Sequence, residues 1–182
     1  MKRTWYTFLA FLTRLHWWFS QFFTGFGGKS LPPYRTPEEI AIDLAGGRQY
    51  KKDRRVGGLV HPFKVRARML AGKLLGDCED YAGYWAMALL RNFLASEVYL
   101  GCAFYEEKDG TRGGHCVVVF RVKGVYYWAD YHQPIRLTYR DAWCLGVLRR
   151  YDAEFKWAAL YRVESSGVRD QLRIIDTTVY LP

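Results

Sequence analysis

The chain has 182 residues, with 27 Lys or Arg against 18 Asp or Glu for a net charge of +9, and half of it is hydrophobic. That length and apolar content predict one ordinary domain with or without an appendage, and exclude a disordered chain, a collagen-like repeat and a coiled coil. Seven Trp, 14 Tyr and 11 Phe must either fill a core or be displayed on a surface that binds something.

Residues 4–24 carry apolar side chains at Trp5, Phe8, Leu12, Leu15, Phe19 and Phe22, with Phe26 beyond, at alternating spacings of three and four. This periodicity predicts a helix, with Phe11, Trp18 and Phe23 widening its stripe and Gly25, Gly27 and Gly28 ending it. Arg14 and His16 break the apolar run and no small-residue cleavage site follows, so an ordinary signal peptide or a spanning helix fits poorly. An amphipathic helix over 1–28 fits better, lying in a membrane interface or packing on the domain or on a partner protein. The first 37 residues hold Lys2, Arg3, Arg14, Lys29 and Arg35 and no acid, so they supply five of the nine net charges.

Residues 29–37 read as a linker, and Thr36, Pro37 and Glu39 mark the start of a helix ending at Gly46-Gly47. Basic runs follow at Lys51, Lys52, Arg54 and Arg55, then at Lys64, Arg66, Arg68 and Lys73, with a helix expected from His61-Pro62 to about Ala71. Such patches suit anionic partners, phospholipid or nucleic acid. No nucleic-acid module accompanies them, and a solvated surface is the default.

The central helix is expected from Cys78 to about Leu94, with Asp77 as its N-cap and Asp80 near the capping-box position. Cys78, Tyr81, Ala82, Trp85, Ala86, Leu89 and Phe93 recur at core-face spacing. Strands are expected at Val98–Tyr105, His115–Val122, Val125–Tyr131, Phe155–Val163 and Leu172–Leu181, with a short helix at Asp141–Leu148. The fold class is therefore α+β, helices first and an antiparallel sheet after.

Cys78, Cys102, Cys116 and Cys144 are too few and too scattered for a disulfide scaffold, and without a Cys-x-x-Cys pair a structural zinc is not expected. Cys102 and Cys144 read as core. Cys78, at a helix start, is distinctive, because orphan N–H groups and the helix dipole favour a thiolate. Asp77, Glu79 and Asp80 oppose that, so activation requires a cationic partner. A two-residue turn at Lys123-Gly124 pairs Val122 with Val125, which carries His115 opposite His132 and Val117 opposite Asp130. His115 and Asp130 then share a face as diagonal neighbours, roughly 7 Å apart at the backbone. If the helix packs on that face, Cys78, His115 and Asp130 form a nucleophile, a base and an orienting group. Cys116 points to the opposite face. Trp85 and Trp128 are expected to pack about the site, as core by default and as a substrate wall in the minority case, with Trp128 on the His115 face; His132 is a substitute base or a strand-end residue, and His61 a cap.

Gly76-Asp77-Cys78-Glu79-Asp80-Tyr81-Ala82 resembles the nucleophile motif of the transglutaminase-like cysteine proteinases, in particular the bacterial branch that releases biofilm adhesins. His115 at the start of a hydrophobic strand and Asp130 after an aromatic one follow in that family's order, and Tyr50, Asp53 and Pro62 resemble its lead-in. The resemblance covers about residues 45–140, so residues 38–182 would form the domain. It implies a papain-like core and a Cys-His-Asp triad hydrolysing peptide or amide bonds in a protein or peptide substrate, or joining them to an amine. No cofactor is required by that chemistry. The adhesin-releasing branch binds calcium beside its nucleophile, which would map onto Asp77 and Glu79; a helix cap and a first-turn charge are the competing roles. The chain departs from the family at Cys116, where a small residue or Trp often follows the His. The backbone N–H of Cys78 is one oxyanion donor, with Gln49 the candidate for the second. The other function class is a structural or interaction protein, such as a virion or cell-envelope component, that keeps the fold and is anchored by residues 1–28. A membrane-associated, periplasmic or virion location would suit these readings.

Overall fold

The computed structural model describes residues 2–24, 31–46, 77–131, 133–136, 139–151, 154–165 and 172–181. Gln49, the basic loop, the helix expected from His61, and His132 lie outside them. Helices α1 (Lys2–Thr24), α2 (Pro37–Gly46) and α3 (Cys78–Arg91) come first. Strands β1 (Glu97–Glu106), β2 (Arg112–Val122), β3 (Val125–Asp130) and β4 (Gln133–Arg136) follow, then a 3-10 turn (Arg140–Ala142), α4 (Trp143–Tyr151), β5 (Glu154–Ser165) and β6 (Leu172–Tyr180). The strands form one sheet in the order β4-β3-β2-β1-β5-β6, every neighbouring pair antiparallel.

The β2–β3 hairpin has the register expected from its turn. Val122 pairs with Val125 and Val118 with Ala129, while Lys123 and Gly124 both take positive φ, 48° and 82°. Alternation along the strands then sorts side chains into two layers. Leu100, Cys102, Cys116, Val118, Phe120 and Ala129 face a core shared with α3 and with Ala10 of α1. Tyr99, Ala103, Val117, Val119 and Trp128 face a smaller core closed by Trp143 and Cys144 of α4. Close fit governs that second layer: a Cβ at Gly101 would lie 3.0 Å from the Trp143 ring.

Helix α3 is buried continuously from Asp80 to Leu89. It stops at Arg91, earlier than the apolar spacing suggests. Phe93 N–H donates to the Leu90 carbonyl (3.3 Å) and Leu94 N–H to the Leu89 carbonyl (3.0 Å), a Schellman closure with Phe93 left-handed at φ 53°. Phe93, expected on the core face, is instead 92% exposed. The cap rotates it off the helix before its periodicity can act.

Helix α2 starts as its sequence requires, the Glu39 N–H donating to Thr36 Oγ1 and the Glu39 carboxylate accepting from the Arg35 N–H. Tyr34 and Tyr84 share Asp43: Tyr84 O–H donates to its carboxylate at 3.1 Å, Tyr34 O–H donates to the same oxygen, and the two hydroxyls are 2.5 Å apart. Leu31 and Tyr34, within the stretch read as a linker, are buried against the body.

Helix α1 also packs on the body. Ala10 is 1% exposed, Tyr161 O–H donates to the Ala10 carbonyl, and Arg14 donates to the Ile174 carbonyl of β6 at 2.9 Å. Tyr6 and Leu9 lie against the same core. The stripe that stands out in the sequence, Trp5, Phe8, Leu12 and Leu15, faces outward instead. Small Ala10 lets the helix backbone approach Tyr161, which the bulkier positions would prevent.

Candidate functional site

Asp77 occupies the N-cap of α3, extended at φ −102°, and its Oδ1 accepts from the Glu79 N–H at 3.2 Å. That cap fixes the helix start and places Cys78 as the first helical residue. The Cys78 side chain is partly buried, and the backbone of Cys116 on β2 lies beside it. Burial pushes the thiol above its ordinary value, and the charges of Cys116, Asp77 and Glu79 push the same way; the Cys116 N–H opposes them. Cys78 therefore rests as a neutral thiol at neutral pH.

His115 precedes Cys116 on the same strand. Its Nε2 lies 2.8 Å from Asp130 Oδ1, and both residues are buried, at 5% and 3% exposure. A carboxylate can only accept, so Nε2 carries the hydrogen and Nδ1 is the nitrogen that would take a proton from a nucleophile. The diagonal relationship expected from the hairpin register therefore exists as a direct contact.

The sheet does not present His115 and α3 on one face in the simple way that the sequence pattern suggests. Ala103 is the cross-strand partner of His115 and belongs to the α4 layer, whereas Cys102, the partner of Cys116, belongs to the α3 layer. Helix α3 thus packs on the face of Cys116. The Cys102 thiol donates a hydrogen bond to Cys116 Sγ there at 3.0 Å, with no disulfide between them, and burial raises both thiols. The two layers meet at the end of β3. Pairing with β2 extends only to Val118 and Ala129, and Tyr131 then turns with φ 56°. The Tyr131 ring is 5.6 Å from the His115 ring and 5.1 Å, edge-on, from Tyr81 of α3, while its carbonyl accepts from Trp85 Nε1 at 2.6 Å. One aromatic residue thereby joins the imidazole to the helix that carries the thiol.

Trp85 and Trp128 are separated by the sheet. Trp85 stacks on Phe120 in the α3 core, 6.0 Å between ring centroids, and Trp128 lies in the α4 layer. The pairing of both about one site is therefore not met, because the strands alternate between them. Sequence reasoning also passed over Tyr131 and the amide of Cys116. Neither carries a residue-type signal: one acts through a turn conformation and the other through its backbone.

Asp77 and Glu79 are the residues onto which a calcium ion would map. The ion takes six to eight oxygen ligands, and among the described residues no group of three or more His, Cys, Asp or Glu converges as a metal site. Asp77 spends one oxygen on the cap. No protein-family model matches the chain, and no curated protein matches it.

Proposed function

We propose that the chain performs thiol-dependent acyl transfer, most simply hydrolysis of a peptide or amide bond, as its resemblance to transglutaminase-like cysteine proteinases implies. The observation that carries the reading is the buried His115–Asp130 pair beside Cys116, whose backbone adjoins Cys78 at a helix N-terminus. Cys78 is the nucleophile, His115 the base and then the acid, and Asp130 the orienting group. Because the resting thiol is neutral, attack is coupled to proton transfer: the S–H proton passes to His115 Nδ1 as sulfur bonds to the carbonyl carbon. The N–H groups of the first turn of α3 face the developing oxyanion, that of Cys78 foremost. The C–N bond then breaks, His115 returns the proton to the leaving amine, and water hydrolyses the thioester to regenerate the thiol. An amine in place of water gives a cross-link.

A second reading is favoured by the strand alternation that separates His115 from the α3 face. In it, the chain is an assembly or envelope component that keeps the fold without turnover. The test is covalent capture. Incubation with a panel of peptidyl vinyl sulfones, followed by intact mass, should add one probe at Cys78 in the wild type and none in His115→Ala. Absence of any adduct in wild type, with function in its native assembly unchanged by Cys78→Ala, would establish the second reading.

A further inference from the structure

Helix α1 is apolar on two sides. One side is consumed by the sheet, where Ala10, Tyr6 and Leu9 sit against the α3 core. The other displays Trp5, Phe8, Phe11, Leu12 and Leu15, each between 39% and 57% exposed. At 100° per residue these five fall within an arc of about 120°, roughly opposite the buried side. Hydrophobic residues so arranged on a helix already packed by its other side are not needed for the core. They form a strip of surface with no partner among the described residues.

We infer that this strip docks the protein onto an anionic lipid surface, the helix lying in the plane of the interface. Three observations select that occupant. The residues are of the kind that settle at the boundary of headgroups and acyl chains, Trp and Phe among Leu. Their helix belongs to a segment of 37 residues with five cations and no acid, in a chain of net charge +9; that complements anionic headgroups. It also opposes self-association, since pairing two copies through this face brings two uniformly positive segments together. No described helix is long and apolar enough to cross a membrane, so the contact is peripheral. Packing of the opposite side on β5 and β6 fixes the strip rigidly to the body, so docking would set the orientation of the whole protein relative to the lipid.

The test uses the full chain and large unilamellar vesicles of phosphatidylcholine with about 30% phosphatidylglycerol, against pure phosphatidylcholine. Co-sedimentation should be at least about tenfold stronger on the anionic vesicles and should fall steeply with added salt. The double variant Phe8→Gln/Phe11→Gln, with unchanged circular dichroism and melting temperature, should lose that binding. No sedimentation with anionic vesicles at low salt would overturn the proposal. So would binding that survives the double variant, which would assign the attraction to the basic loop, or a dimer abolished by the variant without lipid binding, which would make the strip a self-association face.

Discussion

His115 and Asp130 meet through Nε2 and Oδ1 at 2.8 Å, with both side chains withdrawn from solvent. A buried pair of this kind is costly to break from one side. Asp130→Ala removes the acceptor and should destabilise the fold by about 1–3 kcal/mol, whereas Asp130→Asn keeps an acceptor oxygen and should cost less. Urea unfolding at constant m-value measures both. Equal losses would mean that a neutral acceptor of the same size is worth nothing there and that the carboxylate charge carries the interaction.

Helix α1 should behave as part of the core on one side and as a surface on the other. Ala10→Asp places a charge where the residue is 1% exposed and should destabilise by about 2–4 kcal/mol. Phe8→Gln, on the outward strip, should stay within about 0.5 kcal/mol. Thermal melts of the two variants distinguish this arrangement from a freely hinged anchor, for which both changes would be silent.

Phe93 sits left-handed at φ 53° in the closure of α3, with almost its whole side chain in solvent. Glycine occupies that position without steric cost. Phe93→Gly should therefore raise stability by about 0.5–1 kcal/mol, contrary to the usual effect of deleting an aromatic side chain. A lowered denaturation midpoint would show that the ring has a packing role.

Glu97 accepts from Tyr99 O–H at 2.6 Å, Tyr126 O–H at 2.8 Å and Arg121 at 2.8 Å. The Tyr99 hydroxyl first, with the other two, holds its carboxyl down at about 2 against an ordinary 4.5. A lowered value in the folded state adds stability above the unfolded value and loses it as the group is protonated. The contribution should thus be intact above pH 4.5 and disappear between about 4.5 and 2. Glu97→Gln should flatten the acid limb of the stability profile in that window and leave its shape above it unchanged.

Where a signal repeats along the chain, it was legible. The hairpin register follows from Lys123-Gly124 and reached the His115–Asp130 contact; the Asp77 cap follows from residue type and the longer strands after it from alternation. What escaped depends on the choice between equivalent faces. The outward stripe of α1 has the stronger periodicity, but close backbone approach at Ala10 decided which side is buried. Likewise, alternation alone put His115 and Cys116 on opposite faces, and only tertiary packing determined that α3 lies on the Cys116 side. Strand β4 is four residues long and includes Pro134, too brief and too poor in ladder donors to stand out. The turn at Tyr131 that joins the two layers has no sequence signature.

The most direct measurement is the rate of Cys78 carboxamidomethylation by iodoacetamide as a function of pH, read peptide by peptide in wild type and in His115→Ala. If the imidazole serves the thiol, the wild-type rate near neutral pH should exceed that of the variant by at least about tenfold. Superimposable profiles that rise only on the alkaline side, as for an isolated buried thiol, would contradict the acyl-transfer account.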